Sequence, residues 1–294
     1  SLAGQYHQGA HQSNALSPQE AAQGLLLTCC SVAQSDLVLE SRQVTELGAL
    51  PIKKMPARVS ALVRKSADVM LLQLQMPANE KFQYRAGQYI EFMLADGVRR
   101  CYSMATAPRA ASGIELHIRH MPGGRFTDHV FGAMKEKDIL RIEGPFGSFF
   151  LREDSSKPII LLASGTGFAP IKAMLEHMQQ QSIARPTTLY WGGRRPADLY
   201  LDDWVRAQAQ AMPHLTYVPV VSDATTEDQW HGRSGWVHQA VLQDYPDLSG
   251  HQVYACGAPL VVAAAQRDYT TLAQLPAHEF FSDAFTSEAD KQRS

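Results

Sequence analysis

The sequence predicts two successive domains, an antiparallel β-barrel followed by an α/β domain with a doubly wound parallel sheet. Short alternating segments separated by Asp, Gly, Pro or Asn turns occupy residues 57–143, a pattern typical of a small antiparallel barrel. After residue 157, continuous apolar runs alternate with helical stretches, as expected for parallel strands buried on both faces. The length of 294 residues suffices for two domains of roughly 150 residues each.

Composition and charge exclude several classes of protein. Hydrophobic residues make up 45% of the chain and charged residues 19%, as in an ordinary globular protein. A net charge of -2 with no basic stripe argues against nucleic acid as a partner. The longest apolar runs, residues 159–163 and 260–265, fall far short of the ~20 residues of a membrane span.

The cysteines and the first residues bear on the cellular compartment. Only Cys29 and Cys30 are neighbours, while Cys101 and Cys256 lie far apart, so no disulfide framework is predicted and a cytoplasmic location is expected. The first residues have neither a cationic start nor an apolar core, which argues against a signal peptide. They also lack a starting Met, so we expect a fragment or a processed product.

Six short segments form the predicted barrel. They alternate apolar and polar residues between turn signals, which is the pattern of strands with one buried face. The predicted strands are residues 57–65, 71–76, 90–94, 100–104, 116–120 and 139–143.

The fourth of these strands carries Arg100, Cys101, Tyr102 and Ser103. Because side chains alternate along a strand, Arg100 and Tyr102 point to one face, and Cys101 and Ser103 to the other. Arginine can hold two diphosphate oxygens, tyrosine can cover a ring face or a ribose, and a serine hydroxyl can donate to a ring nitrogen that gains electron density on reduction. The set fits a flavin. The alternative is an edge strand with an incidental charge and a buried tyrosine.

A glycine turn follows the fifth strand. Gly123 and Gly124 allow a close backbone approach, and Thr127 is predicted to cap a helix over residues 128–134. A helix N-terminus attracts anions through its exposed amides and its positive dipole end, so a diphosphate is expected here. The alternative is a capped surface helix without a ligand. The predicted supporting cations are Arg119 and Arg125.

The second domain begins with an apolar strand and a glycine turn. Residues 157–163 are followed by Gly165, Thr166 and Gly167, and then by a helix predicted to run to about Gln180. This is the order of a dinucleotide site. It departs from the G-x-G-x-x-G pattern because Pro170 stands at the third glycine position and no acidic residue follows about 20 positions on. By this motif alone, a plain βα turn is the alternative.

Further strands are predicted at residues 187–195, 215–221, 252–257 and 280–285, and further helices near 197–211, 237–242 and 260–270. Ligands of such sheets bind beyond the carboxyl ends of the strands, so the residues at those ends are candidates. A cysteine at a strand end is often simply a small core residue, and this is the alternative for Cys256. The residues at the strand ends are Gly165, Gly192, Ser222 and Cys256.

These segments resemble the ferredoxin-NADP reductase superfamily. Its Arg-x-Tyr-Ser strand and Gly-Gly-x-x-Ser/Thr turn, which hold FAD, correspond to residues 100–103 and 123–127. Its Gly-Thr-Gly-x-x-Pro turn and Cys-Gly-x-Pro signature correspond to residues 165–170 and 256–259. The resemblance implies a FAD-binding barrel ahead of a nicotinamide domain, with Cys256 beside the nicotinamide ring.

The residue pattern and the resemblance together predict the cofactor contacts. Ser103 and Cys256 are the predicted catalytic residues. Phe285 is predicted near the flavin face, with simple packing of the last strand as the alternative. Predicted contacts in the first domain are Arg100, Cys101, Tyr102, Ser103, His117, Ile118, Arg119, Gly123, Gly124, Arg125, Phe126 and Thr127. Predicted contacts in the second domain are Gly165, Thr166, Gly167, Pro170, Gly192, Arg194, Ser222, Asp223, Cys256, Gly257, Pro259 and Phe285.

The N-terminal segment resembles the tail of a plant-type [2Fe-2S] ferredoxin, which implies a remnant of a β-grasp domain. In that family the fourth cluster cysteine lies in a Leu-Thr-Cys segment before a Ser-Asp pair, and the match places this metal ligand at Cys29. The other three ligands come from a C-x4-C-x2-C loop that this sequence lacks. We therefore expect a [2Fe-2S] cluster only in a longer form. Residues 35–40 alternate like a strand.

The predicted organisation is a ferredoxin-like segment at residues 1–46, a linker at 47–56, a FAD-binding barrel at 57–154 and an NAD(P)-binding domain at 155–294. The predicted function is electron transfer from NADH through FAD to an iron-sulfur centre, and on to an oxygenase component or another protein or small-molecule acceptor. One alternative is an NAD(P)H:flavin reductase that uses free flavin as a substrate. Another is a non-catalytic subunit that keeps the fold without turnover.

The preference between NADH and NADPH depends on the end of the strand at residues 215–221. Ser222 and Asp223 stand where NADP-using relatives carry Ser-Arg to hold the 2′-phosphate, and a carboxylate repels that phosphate. NADH is therefore the predicted cofactor. Arg194 and Arg195 could compensate, which leaves NADPH as the alternative.

Overall fold

The computed structural model describes residues 3–11, 16–28, 30–39, 50–95, 97–108 and 113–285. The chain divides into a small N-terminal unit and a large unit that spans Leu50–Thr286. Within the described residues, no helix has the length and apolar character that crossing a membrane requires.

The described residues of the N-terminal unit form a two-stranded antiparallel sheet and one short helix: β1 Tyr6–Gln8, α1 Pro18–Ala22 and β2 Ser31–Ala33. A capping box starts the helix, because the Ser17 hydroxyl accepts from the Glu20 amide at 3.2 Å and the Ser17 amide donates to the Glu20 carboxylate at 2.8 Å.

The strand predicted at residues 35–40 is wrong for its described part. Val38 makes only an isolated antiparallel bridge to Ala3. The Ser35 hydroxyl accepts from the Gln5 amide at 2.8 Å, and this side-chain bond to the backbone holds the segment in a bend instead of a ladder.

The first half of the large unit is an antiparallel sheet of six strands: β3 Lys53–Arg64, β4 Val69–Gln75, β5 Tyr89–Met93, β6 Arg99–Ser103, β7 Ile114–Arg119 and β8 Ile139–Phe146. Their order in the sheet is β6-β5-β8-β3-β4-β7. Each corresponds to a strand predicted from the alternating pattern. β3 begins at Lys53, inside the stretch predicted as a linker.

The two edge strands close this sheet into a barrel. Met104 forms an antiparallel bridge with Leu116, and the Ala105 amide donates to the Glu115 carbonyl at 2.7 Å. Closure buries one face of every strand around a common apolar core. Fully buried members of this core are Val59, Leu72, Leu74, Ile90, Phe92, Leu116 and Ile118.

Helix α2, Arg125–Gly132, follows β7 and corrects the predicted helix at residues 128–134. Its N-cap is Gly124, so Thr127 is not the cap. The Thr127 hydroxyl instead donates to the Met121 carbonyl at 2.9 Å and accepts from the Met121 amide at 3.2 Å. Thr127 therefore stabilises the turn that leads into the helix.

The second half of the large unit is a six-stranded parallel sheet with helices on both faces. Its strands are β9 Ile159–Ser164, β10 Thr187–Gly193, β11 Leu215–Val221, β12 Arg233–Ser234, β13 Gln252–Gly257 and β14 Phe280–Ala284. Its helices are α3 Phe168–Gln180, α4 Asp202–Ala211, α5 Val237–Asp244 and α6 Pro259–Leu272. The predicted doubly wound fold is confirmed.

The strand order places the ligand edge of the sheet. The order is β12-β11-β10-β9-β13-β14, so the chain moves outward from β9 in one direction and then returns to β13 on the other side. The carboxyl ends of β9 and β13 flank this switch point, which is where open α/β sheets bind ligands.

The predicted helix over residues 197–211 is interrupted. A 3₁₀ turn, Pro196–Asp198, precedes α4. The Asp198 carboxylate accepts from the Arg194 and Arg195 amides at 2.8 and 3.0 Å, and these two bonds hold the segment in a turn.

Candidate functional site

Arg100 and Tyr102 share one face of β6, beside the start of α2. The Tyr102 ring packs against Phe126, in the first turn of α2, with ring centroids 5.3 Å apart, and against Phe92 at 5.8 Å. Burial raises the pKa of the Tyr102 hydroxyl. The Arg100 guanidinium donates to the Arg99 carbonyl at 2.9 Å. A cation and a helix N-terminus therefore flank one stretch of surface.

The turn before α2 is open on one side and closed on the other. Gly123 has φ +82, a backbone conformation that favours glycine, and nothing lies within 4 Å of the place where its Cβ would be. Its amide donates to the Asp128 carboxylate at 3.1 Å. Thr127 is only 7% exposed, while Arg125 lies on the exposed surface. No side chain caps the N-terminus of α2 at Gly124.

Two glycine turns meet at the switch point of the parallel sheet. A Cβ at Gly167 would lie 2.2 Å from the Cys256 carbonyl oxygen, and a Cβ at Gly257 would lie 2.3 Å from the Ser164 carbonyl oxygen. Gly257 also has φ +128. Only glycine allows the backbones to approach this closely, so the turn after β9 and the end of β13 form one continuous edge.

Ser103, Cys256 and Asp283 come together where the barrel meets this edge. The register of β13 and β14 pairs Cys256 with Asp283, and the Ser103 hydroxyl of the barrel donates to the Asp283 carboxylate at 3.3 Å. Burial, then the Asp283 carboxyl, raises the pKa of the Cys256 thiol, which is therefore neutral. Burial also raises the pKa of Asp283 against the opposing hydrogen bond from Ser103.

Asp283 is the residue that sequence reasoning missed. The ending around it pointed to the flavin face only through Phe285. Because side chains alternate along β14, Phe281, Asp283 and Phe285 lie on the same face, and this alternation is the sequence signal that could have identified Asp283. The Phe285 amide donates to the Gly257 carbonyl at 2.8 Å, so this residue also lies at the switch point.

The His117 side chain lies between the barrel and the second domain. Its Nδ1 is 2.7 Å from the Tyr200 hydroxyl, and its Nε2 is 3.2 Å from the Glu115 carboxylate. Burial lowers the pKa of His117, so the ring is neutral. A carboxylate only accepts, so Nε2 carries the proton and the Tyr200 hydroxyl donates to Nδ1.

Arg119 also points toward the second domain. Its Nε lies 3.2 Å from the Asp68 carboxylate, and its Nη2 lies 3.8 Å from the Asp198 carboxylate. A Cβ at Gly165 would lie 3.2 Å from its Nη1. The structure thus brings the Arg119 guanidinium to the turn after β9, whereas the prediction had it support the turn before α2.

The ends of β10 and β11 lie side by side. The Ser222 amide donates to the Gly193 carbonyl at 3.0 Å, and the Asp223 amide donates to the Arg194 carbonyl at 2.8 Å. This brings the predicted residues Arg194, Ser222 and Asp223 together. Gly192 packs tightly, because a Cβ there would lie 2.7 Å from the Val237 Cβ.

The remaining predicted contacts differ in exposure. Ile118 is wholly buried in the barrel core, which leaves only its backbone for a ligand, whereas Cys101 is exposed on β6. Thr166 lies in the 3₁₀ turn after β9, Pro170 is buried in the first turn of α3, and Pro259 begins α6.

The predicted metal ligand Cys29 lies outside the described residues. Among the residues that are described, no group of three or more His, Cys, Asp or Glu side chains is placed to hold a metal ion.

The closed barrel and the doubly wound sheet each correspond to a family model, and together these models identify the chain as a flavin- and nicotinamide-dependent oxidoreductase. Residues 56–151 match the family model of an oxidoreductase FAD-binding domain, and residues 161–267 match that of an oxidoreductase NAD-binding domain. The chain belongs to the ferredoxin-NADP reductase superfamily. It is a flavoprotein reductase that passes electrons from a nicotinamide cofactor through FAD to an acceptor.

Three similar proteins illustrate the family. A CDP-6-deoxy-L-threo-D-glycero-4-hexulose-3-dehydrase reductase of Yersinia pseudotuberculosis is 42% identical over 92% of this chain and 80% of its own. A terephthalate 1,2-dioxygenase reductase component of Comamonas sp. is 34% identical over 89% of this chain and 77% of its own. The crystal structure of an Amycolatopsis cytochrome P450 reductase superposes with a TM-score of 0.79 and 29% identity over 97% of this chain and 86% of that one.

Proposed function

We propose that FAD lies along β6, with its diphosphate between Arg100 and the N-terminus of α2 and its ring against Ser103. Three observations support this fit. Arg100 supplies a cation suited to a diphosphate, the N-terminus of α2 has no side-chain cap, and Gly123 leaves open space in front of that helix.

We further propose that the nicotinamide cofactor binds along the carboxyl edge of the parallel sheet. Its diphosphate would meet the glycine turn at residues 165–167, which opens α3, and its ring would lie beside Cys256. The end of β11, with Ser222 and Asp223, would hold the adenosine end. The neutral, buried thiol of Cys256 shapes this edge without a charge.

The observation that carries the proposal is the hydrogen bond from Ser103 to Asp283, which joins the two domains at the reacting centre. The chemistry that FAD would supply here is two-electron uptake from the nicotinamide and release of single electrons. The Asp283 carboxylate orients the Ser103 hydroxyl, and burial raises the pKa of Asp283, which favours uptake of a proton by this carboxyl. Burial of Ser103, which is 5% exposed, keeps water from competing for this bond.

We propose that the acceptor is an enzyme that draws single electrons, either a sugar-nucleotide dehydrase or an oxygenase component. Relatives of both kinds support this, and the higher identity to the dehydrase reductase favours the former. The test is NADH oxidation by the FAD-loaded protein with ferricyanide and with each kind of acceptor enzyme. Absence of ferricyanide reduction would exclude the reductase function, and loss of FAD on desalting would instead indicate a reductase of free flavin.

Arg100→Ala is expected to purify with little FAD. Loss of one charge-assisted bond costs about 1.5–3 kcal/mol, which is a factor of about ten or more in affinity. The flavin absorbance per chain measures the effect. Arg99→Ala is the matched control, because Arg99 precedes Arg100 on β6 but pairs with Glu91 and Glu143, at 2.6 Å each. Full retention of FAD by Arg100→Ala would remove this residue from the site.

NADH is expected to have the higher kcat/KM. Arg195 is engaged by Asp228, with Nε and Oδ2 2.9 Å apart, and by the Thr225 hydroxyl at 2.9 Å, so it is poorly placed to offset Asp223. Steady-state rates with NADH and NADPH measure the preference, and Asp223→Ala should narrow it. Equal or better use of NADPH by the wild type, abolished in Arg194→Ala, would show that Arg194 decides the specificity.

A further inference from the structure

Two side chains of α3, Lys172 and Glu176, bind the backbone of the barrel. The Lys172 ammonium donates to the Ala105 carbonyl at 3.1 Å, and the Glu176 carboxylate accepts from the Ala107 amide at 3.0 Å. Lys172 and Glu176 also pair with each other at 2.7 Å. Ala105 and Ala107 continue the chain directly after Ser103. The helix of the second domain thus holds the segment that carries the reacting hydroxyl.

The pair belongs to a buried charged network. The Lys172 side chain is 8% exposed and lies between Glu176 and Glu115, whose carboxylate is 3.2 Å from Nζ. Burial raises the pKa of Glu115, but the hydrogen bond from His117 and the charge of Lys172 outweigh it and lower this pKa to about 2. Buried ions are costly unless their partners hold a fixed geometry. The network therefore favours one docked arrangement of the two domains.

The same helix is fixed at its N-terminus to the proposed nicotinamide edge. Gly167, just before α3, lies against the Cys256 carbonyl. In its middle, α3 packs closely on the barrel, since a Cβ at Gly87 would lie 2.7 Å from the Met174 Cε. Helix α3 is therefore a rigid connection between the Cys256 edge and the segment after Ser103.

We propose that Lys172, with Glu176, is a positioning residue that sets the separation between the nicotinamide edge and the flavin strand. The inference rests on the nicotinamide- and flavin-dependent activity stated above, and it concerns residues outside the sites proposed for both cofactors. Hydride transfer depends steeply on the separation of donor and acceptor, and a misplacement of about 1 Å can cost on the order of 100-fold in rate.

The test follows the two half-reactions separately in the FAD-loaded protein. Lys172→Met keeps an unbranched, flexible side chain but removes the ammonium group and its charge. It should slow the reduction of FAD by NADH by about tenfold to 100-fold. FAD content and the oxidation of the reduced protein by ferricyanide should stay at the wild-type level. Hydrogen exchange of the peptide that contains residues 103–108 should become faster. The control is Lys157→Met, which removes an ion pair to Glu279, at 2.7 Å, within the second domain.

A double variant separates positioning from stability. Lys172→Met with Glu176→Gln restores the charge balance of the wild-type network, since one cation and one carboxylate are removed together. The Tm should recover while the reduction of FAD stays slow, because the bond to Ala105 is still absent. If Lys172→Met does not fold, Glu176→Gln should show the same split between the half-reactions.

Three outcomes would overturn the inference: reduction by NADH at the wild-type rate in Lys172→Met, equal loss in both half-reactions, or recovery of the rate together with the Tm in the double variant. If NADH does not reduce the FAD of the wild type, the activity itself is contradicted. This outcome differs from the three above, which concern only the role of Lys172.

Discussion

Ser103→Ala is expected to slow the reduction of bound FAD by NADH on the order of 10²–10³-fold, which is the loss typical when a hydrogen-bond donor is removed from a reacting centre. The Ser103 hydroxyl is buried, comes from the strand proposed to hold the flavin, and is oriented by the Asp283 carboxylate at 3.3 Å. The hydroxyl donates to Asp283 in this structure and would rotate about its C–O bond to donate to the ring when charge develops there, whereas alanine offers no donor. Rapid-mixing measurements of flavin bleaching report the step directly.

Two controls accompany Ser103→Ala: a variant that keeps the hydroxyl, and a measurement of the FAD content of each variant. Ser103→Thr retains a hydroxyl and should recover most of the rate. FAD content should be unchanged in both variants, because the proposed diphosphate contacts lie elsewhere on β6 and α2. A rate for Ser103→Ala within about threefold of the wild type would show that the hydroxyl stabilises nothing in the transition state.

The barrel and the parallel sheet were predictable because the burial of one or both faces of a strand produces a regular pattern of apolar residues in the sequence. β3 and β7 alternate apolar and polar residues, since one face meets the barrel core, whereas β9 and β13 are mostly apolar and almost wholly buried, since helices cover both faces. The start of α2 was not predictable in the same way. Its N-cap is Gly124, which has no side chain to mark the start of the helix. Thr127 is misleading because threonine is a favoured N-cap residue.

The contacts that assemble the site leave no local signal. Ser103 and Asp283 are 180 residues apart in the chain, so their hydrogen bond follows from the docking of two domains. The same holds for Lys172, whose partners Ala105 and Glu115 lie in the barrel. Alternation could place His117 and Arg119 on a face of β7, but only the packed structure shows that both point toward the second domain.

Asp283→Asn is expected to raise the Tm of the protein and to lower the rate at which NADH reduces the flavin. Burial raises the pKa of Asp283 above its ordinary 3.8 in the folded protein. The stability linked to its protonated form is present below the ordinary pKa and is lost as the pH rises through the raised pKa. At a pH above the raised pKa the wild type carries a poorly solvated charge that asparagine lacks, so the Tm of the variant should be higher there, and the difference should shrink on acidification.

The rate of FAD reduction by NADH should fall, because the asparagine amide can still bond to Ser103 but cannot take up and release a proton. Loss of a positioned proton carrier costs at least about 100-fold, so flavin reduction by NADH should fall by that order and lose the part of its pH dependence due to this carboxyl. Thermal unfolding and rapid mixing at acidic and alkaline pH measure both effects. Asp203→Asn, on the exposed side of α4, is the control and should change neither. An unchanged rate with a higher Tm would mean that Asp283 only orients Ser103, and a lower Tm would mean that the carboxylate stabilises the junction between the domains.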